Sequence, residues 1–96
     1  MAKNSYVGIV DKIRVINSFP NMLVRFTLHT NKENINCLVS RKDLANLILL
    51  LDDGKYELAT FGHFNKRNQF VIEKFNVRNP DSFVREFVLN SLKQIA

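Results

Sequence analysis

Cationic and aromatic side chains crowd one short stretch of this chain. His63, Phe64, Lys66 and Arg67 lie together around the polar run Asn65-Lys66-Arg67-Asn68. An ammonium and a guanidinium held on a turn can bind phosphates or carboxylates, and a neighbouring ring can stack on a flat partner. Arg25, Thr27 and His29 alternate along a second stretch, and Asn36 belongs to a third. These groups offer charge and hydrogen bonds. They do not form a catalytic set: neither His29 nor His63 has a carboxylate or nucleophile placed by spacing to make a reacting pair. No Cys/His cluster has metal-ligand spacing. Cys37 is the single cysteine, so it cannot form an internal disulfide, and its inward position reads as that of a small core residue. Asp52-Asp53 reads as a solvated helix end. No enzyme, metal or cofactor is implied.

The balance of charge agrees with an anionic partner. The chain has 96 residues and a net charge of +5. Residues 1–51 carry seven Lys/Arg against three Asp/Glu (+4), residues 52–80 five against four (+1), and residues 81–96 two against two (0). The excess therefore lies in residues 1–80 and spares the C-terminal segment. Such a distribution favours polyanions. The apolar share of 46% is that of a globular domain, and the length allows one core. No run reaches the roughly 18 apolar residues of a membrane span, and the start of the chain has no apolar secretory segment. These features together lead us to expect a cytoplasmic protein with no membrane partner.

The elements that would position these residues follow from periodicity. Tyr6 to Ile16 is a β-branched run and reads as a first strand, with Gly8 marking a bulge or bend. Asn17 to Asn21 is a loop by composition, and Phe19 within it is either tucked onto the core or exposed for contact. Met22 to Thr30 alternates: Met22, Val24, Phe26 and Leu28 face inward, Leu23, Arg25, Thr27 and His29 outward. Ile35 to Ser40 alternates again, with Ile35, Cys37 and Val39 inward and Asn36, Leu38 and Ser40 outward. Ser40 and Asp43 resemble a capping box, and Leu44, Leu47, Ile48 and Leu51 recur at helical spacing. Leu49 and Leu50 widen that stripe, which predicts a helix buried on more than one side, ended by Asp52-Asp53-Gly54.

Lys55 to Phe64 and Gln69 to Val77 read as a hairpin across the Asn65–Asn68 turn. Phe70, Ile72, Phe75 and Val77 supply its apolar spacing, with Phe70 and Phe75 expected in the core. Phe61 reads either as core or as a ligand platform. Asn79 and Pro80 suit the cap and first position of a second helix over about 80–95. That helix would carry Val84, Phe87, Val88, Leu92 and Ile95 on one face. The face is expected to pack on the domain, on a second copy or on a protein partner.

Strand, strand, strand, helix, strand, strand is the layout of the OB-fold, a five-stranded Greek-key barrel. Val7-Gly8-Ile9-Val10 resembles the first strand of OB-fold nucleic-acid-binding domains. Tyr56 to Gly62 resembles their fourth strand and Phe70 to Val77 their fifth. The resemblance, to single-stranded-DNA-binding proteins, covers about residues 5–78 of a single domain and leaves the last helix outside. It implies a mainly β barrel with a helix between the third and fourth strands, to which the C-terminal helix read from periodicity adds a second. It implies a non-enzymatic protein that binds single-stranded nucleic acid, DNA before RNA, with little sequence preference. By position it assigns Arg25, Thr27, His29 and Asn36 to the binding face. Phe19 falls on one flanking wall, and His63, Phe64, Lys66 and Arg67 on the other, while Phe19, Phe61 and Phe64 offer rings for stacking. One departure stands out: the outward face from Met22 to Ser40 has no aromatic besides His29, although bases usually stack there at about 1–3 kcal/mol each. The alternative is an OB barrel that serves as a protein-interaction module, or a subunit of a replication, DNA-transfer or translation assembly.

Overall fold

Alternation at period two drives the architecture, because each strand must turn one row of apolar side chains away from water. In the computed structural model, which describes residues 3–79 together with Asp81 and Val84, five strands close into a barrel. They are β1 (Lys3–Asn17), β2 (Leu23–His29), β3 (Asn34–Val39), β4 (Glu57–Phe64) and β5 (Phe70–Val77), and α1 (Lys42–Ile48) lies between β3 and β4. The spatial order is β1-β2-β3-β5-β4, with β4 returning to β1. The mainly β barrel and the helix between β3 and β4 are as expected. The second helix, with Phe87, Val88, Leu92 and Ile95, lies outside the described residues.

β1 closes the barrel by serving two neighbours. Its first half pairs with β4, from Lys3 opposite His63 to Ile9 opposite Glu57. Its second half pairs with β2, from Ile9 opposite His29 to Asn17 opposite Leu23. β2 and β3 form the central hairpin, and β3 runs parallel to β5 through Cys37–Phe70 and Leu38–Val71. The inward rows Val24, Phe26, Leu28 and Ile35, Cys37, Val39 are all buried, joined by Val10, Leu58, Phe70 and Ile72. Burying each large side chain contributes about 1.5–3 kcal/mol.

Several local expectations are corrected by the structure. The bulge in β1 falls at Lys12, not Gly8: the register with β2 shifts between Asp11 and Arg14, and Lys12 has φ 52°. Gly8 instead lets the His29 carbonyl come against the barrel wall, where a Cβ would collide with it. Ser40 does not cap α1. The cap position is Arg41, which makes no side-chain cap bond and donates instead to Asp43 (2.8 Å) and to the Glu73 carbonyl (3.3 Å). α1 stops at Ile48 because its last turn tightens: Leu50 and Leu51 bond back three residues, to Leu47 and Ile48. Leu49 is left 37% exposed, so the helix buries one side only, through Ala45 and Ile48.

Asp53 is more than solvation of a helix end. Its carboxylate accepts the Ile13 N–H at 2.9 Å, the donor that the Lys12 bulge frees, while the Gly54 N–H donates to Val10 O at 2.8 Å. The segment after α1 therefore braces the bulge. The spacing in β5 is also broken: Phe70 and Ile72 face inward, then Phe75 and Val77. The register with β4 slips between Phe61 and Gly62, which leaves Glu73 as the extra residue. Phe70 is in the core, and Phe75 packs half-buried against it.

Asn79 is not a helix cap. Its side chain accepts from Glu57 N at 2.7 Å and donates to Lys55 O at 3.3 Å, tying the end of β5 to the start of β4. Asp81 gathers three donors: it accepts the Val84 N–H (3.0 Å), the Tyr56 hydroxyl (2.8 Å) and Lys55 Nζ (3.0 Å). These donors, the Val84 N–H first, hold the Asp81 carboxyl down at about 2. A carboxyl lowered in the folded state stabilises above its ordinary value of 3.8, and that contribution is lost as pH falls towards about 2. Asp81→Ala should therefore lower the Tm by about 5 °C at pH 7. The gap between variant and wild type should close between pH 4 and pH 2 in thermal melts. An unchanged gap at pH 2 would mean the anchor is not electrostatic.

Among the described residues no helix is long and apolar enough to cross a membrane. No group of three His, Cys, Asp or Glu among them could hold a metal ion. Cys37 is buried, which pushes its thiol up to about 12 and leaves it inert.

Candidate nucleic-acid interface

A cationic groove runs along the outer face of β1, β2 and β3. Arg14 on β1 sits directly opposite Arg25 on β2, and Arg25 opposite Leu38 on β3. Lys12, Arg14, Arg25, Phe26, Thr27 and Asn36 line a depression of about 230 Å³. Two like charges directly opposite across a strand pair repel and cost stability. The Lys12 backbone adds strain, because a non-glycine residue at φ 52° costs on the order of 1–2 kcal/mol. Among the described residues none of these three cations is in an ion pair. Three converging charges held at a cost are what an anion site requires.

One cross-barrel row has chemistry graded along its length. Arg14 and Arg25 are followed by Leu38 and then by Val71 on β5. Charge stands at the β1–β2 end and apolar surface at the β3–β5 end. A second row, Asp11, Thr27 and Asn36, runs beside it with hydrogen-bonding groups. A polynucleotide has the same division: phosphates to one side, bases to the other.

The two loops stand at opposite ends of this face. The β1–β2 loop precedes Leu23, at the start of β2. β3 and β5 run parallel, so the β4–β5 turn lies by the start of β3. In the first loop Phe19 is 85% exposed, which resolves its position: its ring is not in the core. Phe19, Pro20, Met22, Ser40 and Lys42 border a shallow hollow there. In the second, Asn65 fixes the turn. Its side-chain oxygen accepts from Arg67 N (2.9 Å) and Gln69 N (3.0 Å), and Asn68 takes φ 60°. Lys66 and Arg67 are thereby presented to solvent on a rigid tip.

Other expected residues are placed elsewhere. Phe64 packs with Tyr6 and Phe70 (centroids 6.0 and 5.1 Å) as part of the barrel wall. Phe61 lies half-buried on the outer face of β4, between Ser5 on β1 and Lys74 on β5, and the Lys74 ammonium is 4.9 Å from its ring centre. His63 shares that face and bonds Glu73 at 2.8 Å, as does Lys3 at 2.6 Å. Those two donors, Lys3 first, hold the Glu73 carboxyl below its ordinary range. Phe61 and His63 are thus separated from Arg25, Thr27 and Asn36 by the width of β1.

His29 borders the groove but is engaged on both ring nitrogens. Nδ1 lies 2.6 Å from the Asn34 side-chain oxygen and Nε2 3.0 Å from an Asp11 carboxylate oxygen. Periodicity could not supply these partners, since Asp11 comes from another strand. Periodicity does not single out Lys12 and Arg14 either. Their signal is the alternation Lys12-Ile13-Arg14-Val15, a charged row whose neighbour only the register reveals.

No family model matches the chain, and no curated protein matches it by sequence. Solved structures do share its fold. The mitochondrial single-stranded DNA binding protein Rim1 of S. cerevisiae superposes with a TM-score of 0.73 at 13% identity, over 83% of this chain and 97% of that one. The structure of yeast Stn1 and Ten1 gives a TM-score of 0.68 at 16% identity, over 96% of this chain and 51% of that one. This chain thus spans about half the length of the second. At these identities the likeness is one of fold, and the barrel is an OB-fold.

Proposed function

We propose that this OB-fold is a non-enzymatic binder of single-stranded nucleic acid, holding the strand across the outer face of β1, β2 and β3 with little regard to sequence. The observation that carries the reading is the convergence of Lys12, Arg14 and Arg25 on one groove. Phosphates lie along these cations while the sugar and base edges rest on Leu38 and Val71. Thr27 and Asn36 supply hydrogen bonds beneath. Phe19 at one end offers a ring for stacking, and Lys66 and Arg67 hold phosphates at the other. DNA is favoured over RNA on the likeness to Rim1. The outward face from Met22 to Ser40 carries no aromatic ring besides His29, which makes the binding electrostatic above all, and so strongly salt-dependent.

A second reading, a protein-interaction module, draws on the arm formed by the end of β1 and its loop. Val15 and Ile16 are 47% and 49% exposed there, beside Phe19. Titration of labelled oligo-dT, oligo-rU and duplex DNA over a range of salt separates the two readings. Our reading expects the single strands to bind more tightly than the duplex. It also expects Lys66→Ala with Arg67→Ala to flatten the salt slope by about 1.4, at about 0.7 per phosphate released. Phe19→Ala should weaken binding at an unchanged slope, because stacking displaces no counterions. No single-strand binding at low salt would favour the protein module.

A further inference from the structure

His29 is held between two acceptors at the border of the basic groove, and neither is a phosphate. An ionised carboxylate accepts only, and so does the side-chain oxygen of Asn34. Both ring nitrogens are therefore asked to donate, which the imidazolium alone can do. Asp11 sits opposite Thr27, a groove residue, and next to Lys12, another. Its carboxylate is thus an anion beside a site built for anions. Alone it would repel a phosphate backbone.

We propose that His29 acts on the bound strand indirectly, as the counter-charge that neutralises Asp11 beside the groove, so that single-strand affinity falls when the imidazole loses its proton. The inference rests on the proposed function of the same face. The charged groups facing His29 are Asp11 and Lys12 from β1, and Asn34 faces it from β3 as a neutral acceptor. The bonds to Asn34 and Asp11 outweigh partial burial and the Lys12 charge, and raise the His29 titration above its ordinary 6.5. Asp11 is lowered in turn, first by its bond to His29. Below the His29 titration the pair is neutral overall. Above it the pair carries one negative charge. The strand binds the low-pH form better, so affinity declines as pH rises through that titration.

The test is binding of labelled oligo-dT to the full chain from pH 5.5 to 9 at fixed ionic strength, for wild type, His29→Gln and Asp11→Asn. Wild type should lose affinity about three- to tenfold across a single step. His29→Gln should bind as weakly as wild type at high pH and show no step. Asp11→Asn should bind more tightly throughout, with its step moved to lower pH, because the imidazole has lost its carboxylate. A flat wild-type profile with binding intact would overturn the inference and leave the nucleic-acid reading standing. A step that persists in His29→Gln would overturn it equally. Absence of binding at every pH would remove both.

Discussion

Gly62→Ala should destabilise the protein by roughly 3 kcal/mol, which lowers the Tm by about 15–20 °C for a domain of this size. A Cβ at Gly62 would fall on the Val71 carbonyl oxygen, and the Val71 carbonyl carbon lies 2.9 Å from the same point. Both atoms are backbone, so no side chain can swing away. The position is also where β4 and β5 slip register. Val71 is one of only two β5 residues paired with β3, through Leu38. Relief by moving β5 would therefore open the closure of the barrel. It would also displace the turn that carries Lys66 and Arg67. Thermal melts of the variant beside wild type give the answer, and an unchanged Tm would show that the bulge has slack that the geometry does not reveal.

Arg14→Gln combined with Arg25→Gln is expected to have two effects of opposite sign. Single-strand affinity should fall about 100-fold, since two charge-assisted contacts contribute roughly 1.5 kcal/mol each. The slope of log affinity against log salt should flatten by about 1.4. Stability should hold or rise by a few tenths of a kcal/mol, because the two guanidinium groups stand opposite each other without a partner. A structural role for the arginines predicts the reverse: a lower Tm and unchanged binding. Arg78→Gln is the control. Arg78 pairs with Glu57 at 3.4 Å on β4, away from the groove, and its loss should leave the slope alone.

What the sequence made legible was each strand's own division into inside and outside. Val24, Phe26, Leu28 and Ile35, Cys37, Val39 announced two core rows, and the five strands with α1 after β3 followed in order. Arg25, Thr27 and Asn36 were placed on the outer face by the same logic. What periodicity cannot supply is which strand lies next to which, and at what register. That is why strand alternation singles out Arg25 but not Lys12 and Arg14, which only the register brings beside it. It also explains Phe64, whose alternation is compatible with exposure until Tyr6 and Phe70 arrive from other strands to enclose it. The roles of Asp53, Asn79 and Asp81 have the same origin. Each looks like a turn or cap residue in its local context, yet two of them bond chiefly to backbone more than twenty residues away. Asp81 bonds locally to the Val84 N–H, and it also reaches back to Tyr56. The β5 bulge was written in the sequence as the interval from Ile72 to Phe75, one residue too long for a regular strand.

The central claim is that the strand lies on the outer face of β1, β2 and β3 and not on the face carrying Phe61. Amide chemical shifts of the labelled protein, followed through a titration with a dT oligomer of about eight nucleotides, test it most directly. The account predicts the largest changes at Lys12, Arg14, Arg25, Thr27, Asn36 and Leu38, with further changes at Phe19, Lys66 and Arg67. Residues Ser5, Val7, Ala59 and Phe61 on the far face should remain still. Shifts centred on Phe61 and Lys74, with Arg14 and Arg25 unmoved, would contradict the account and move the interface to the other side of the barrel.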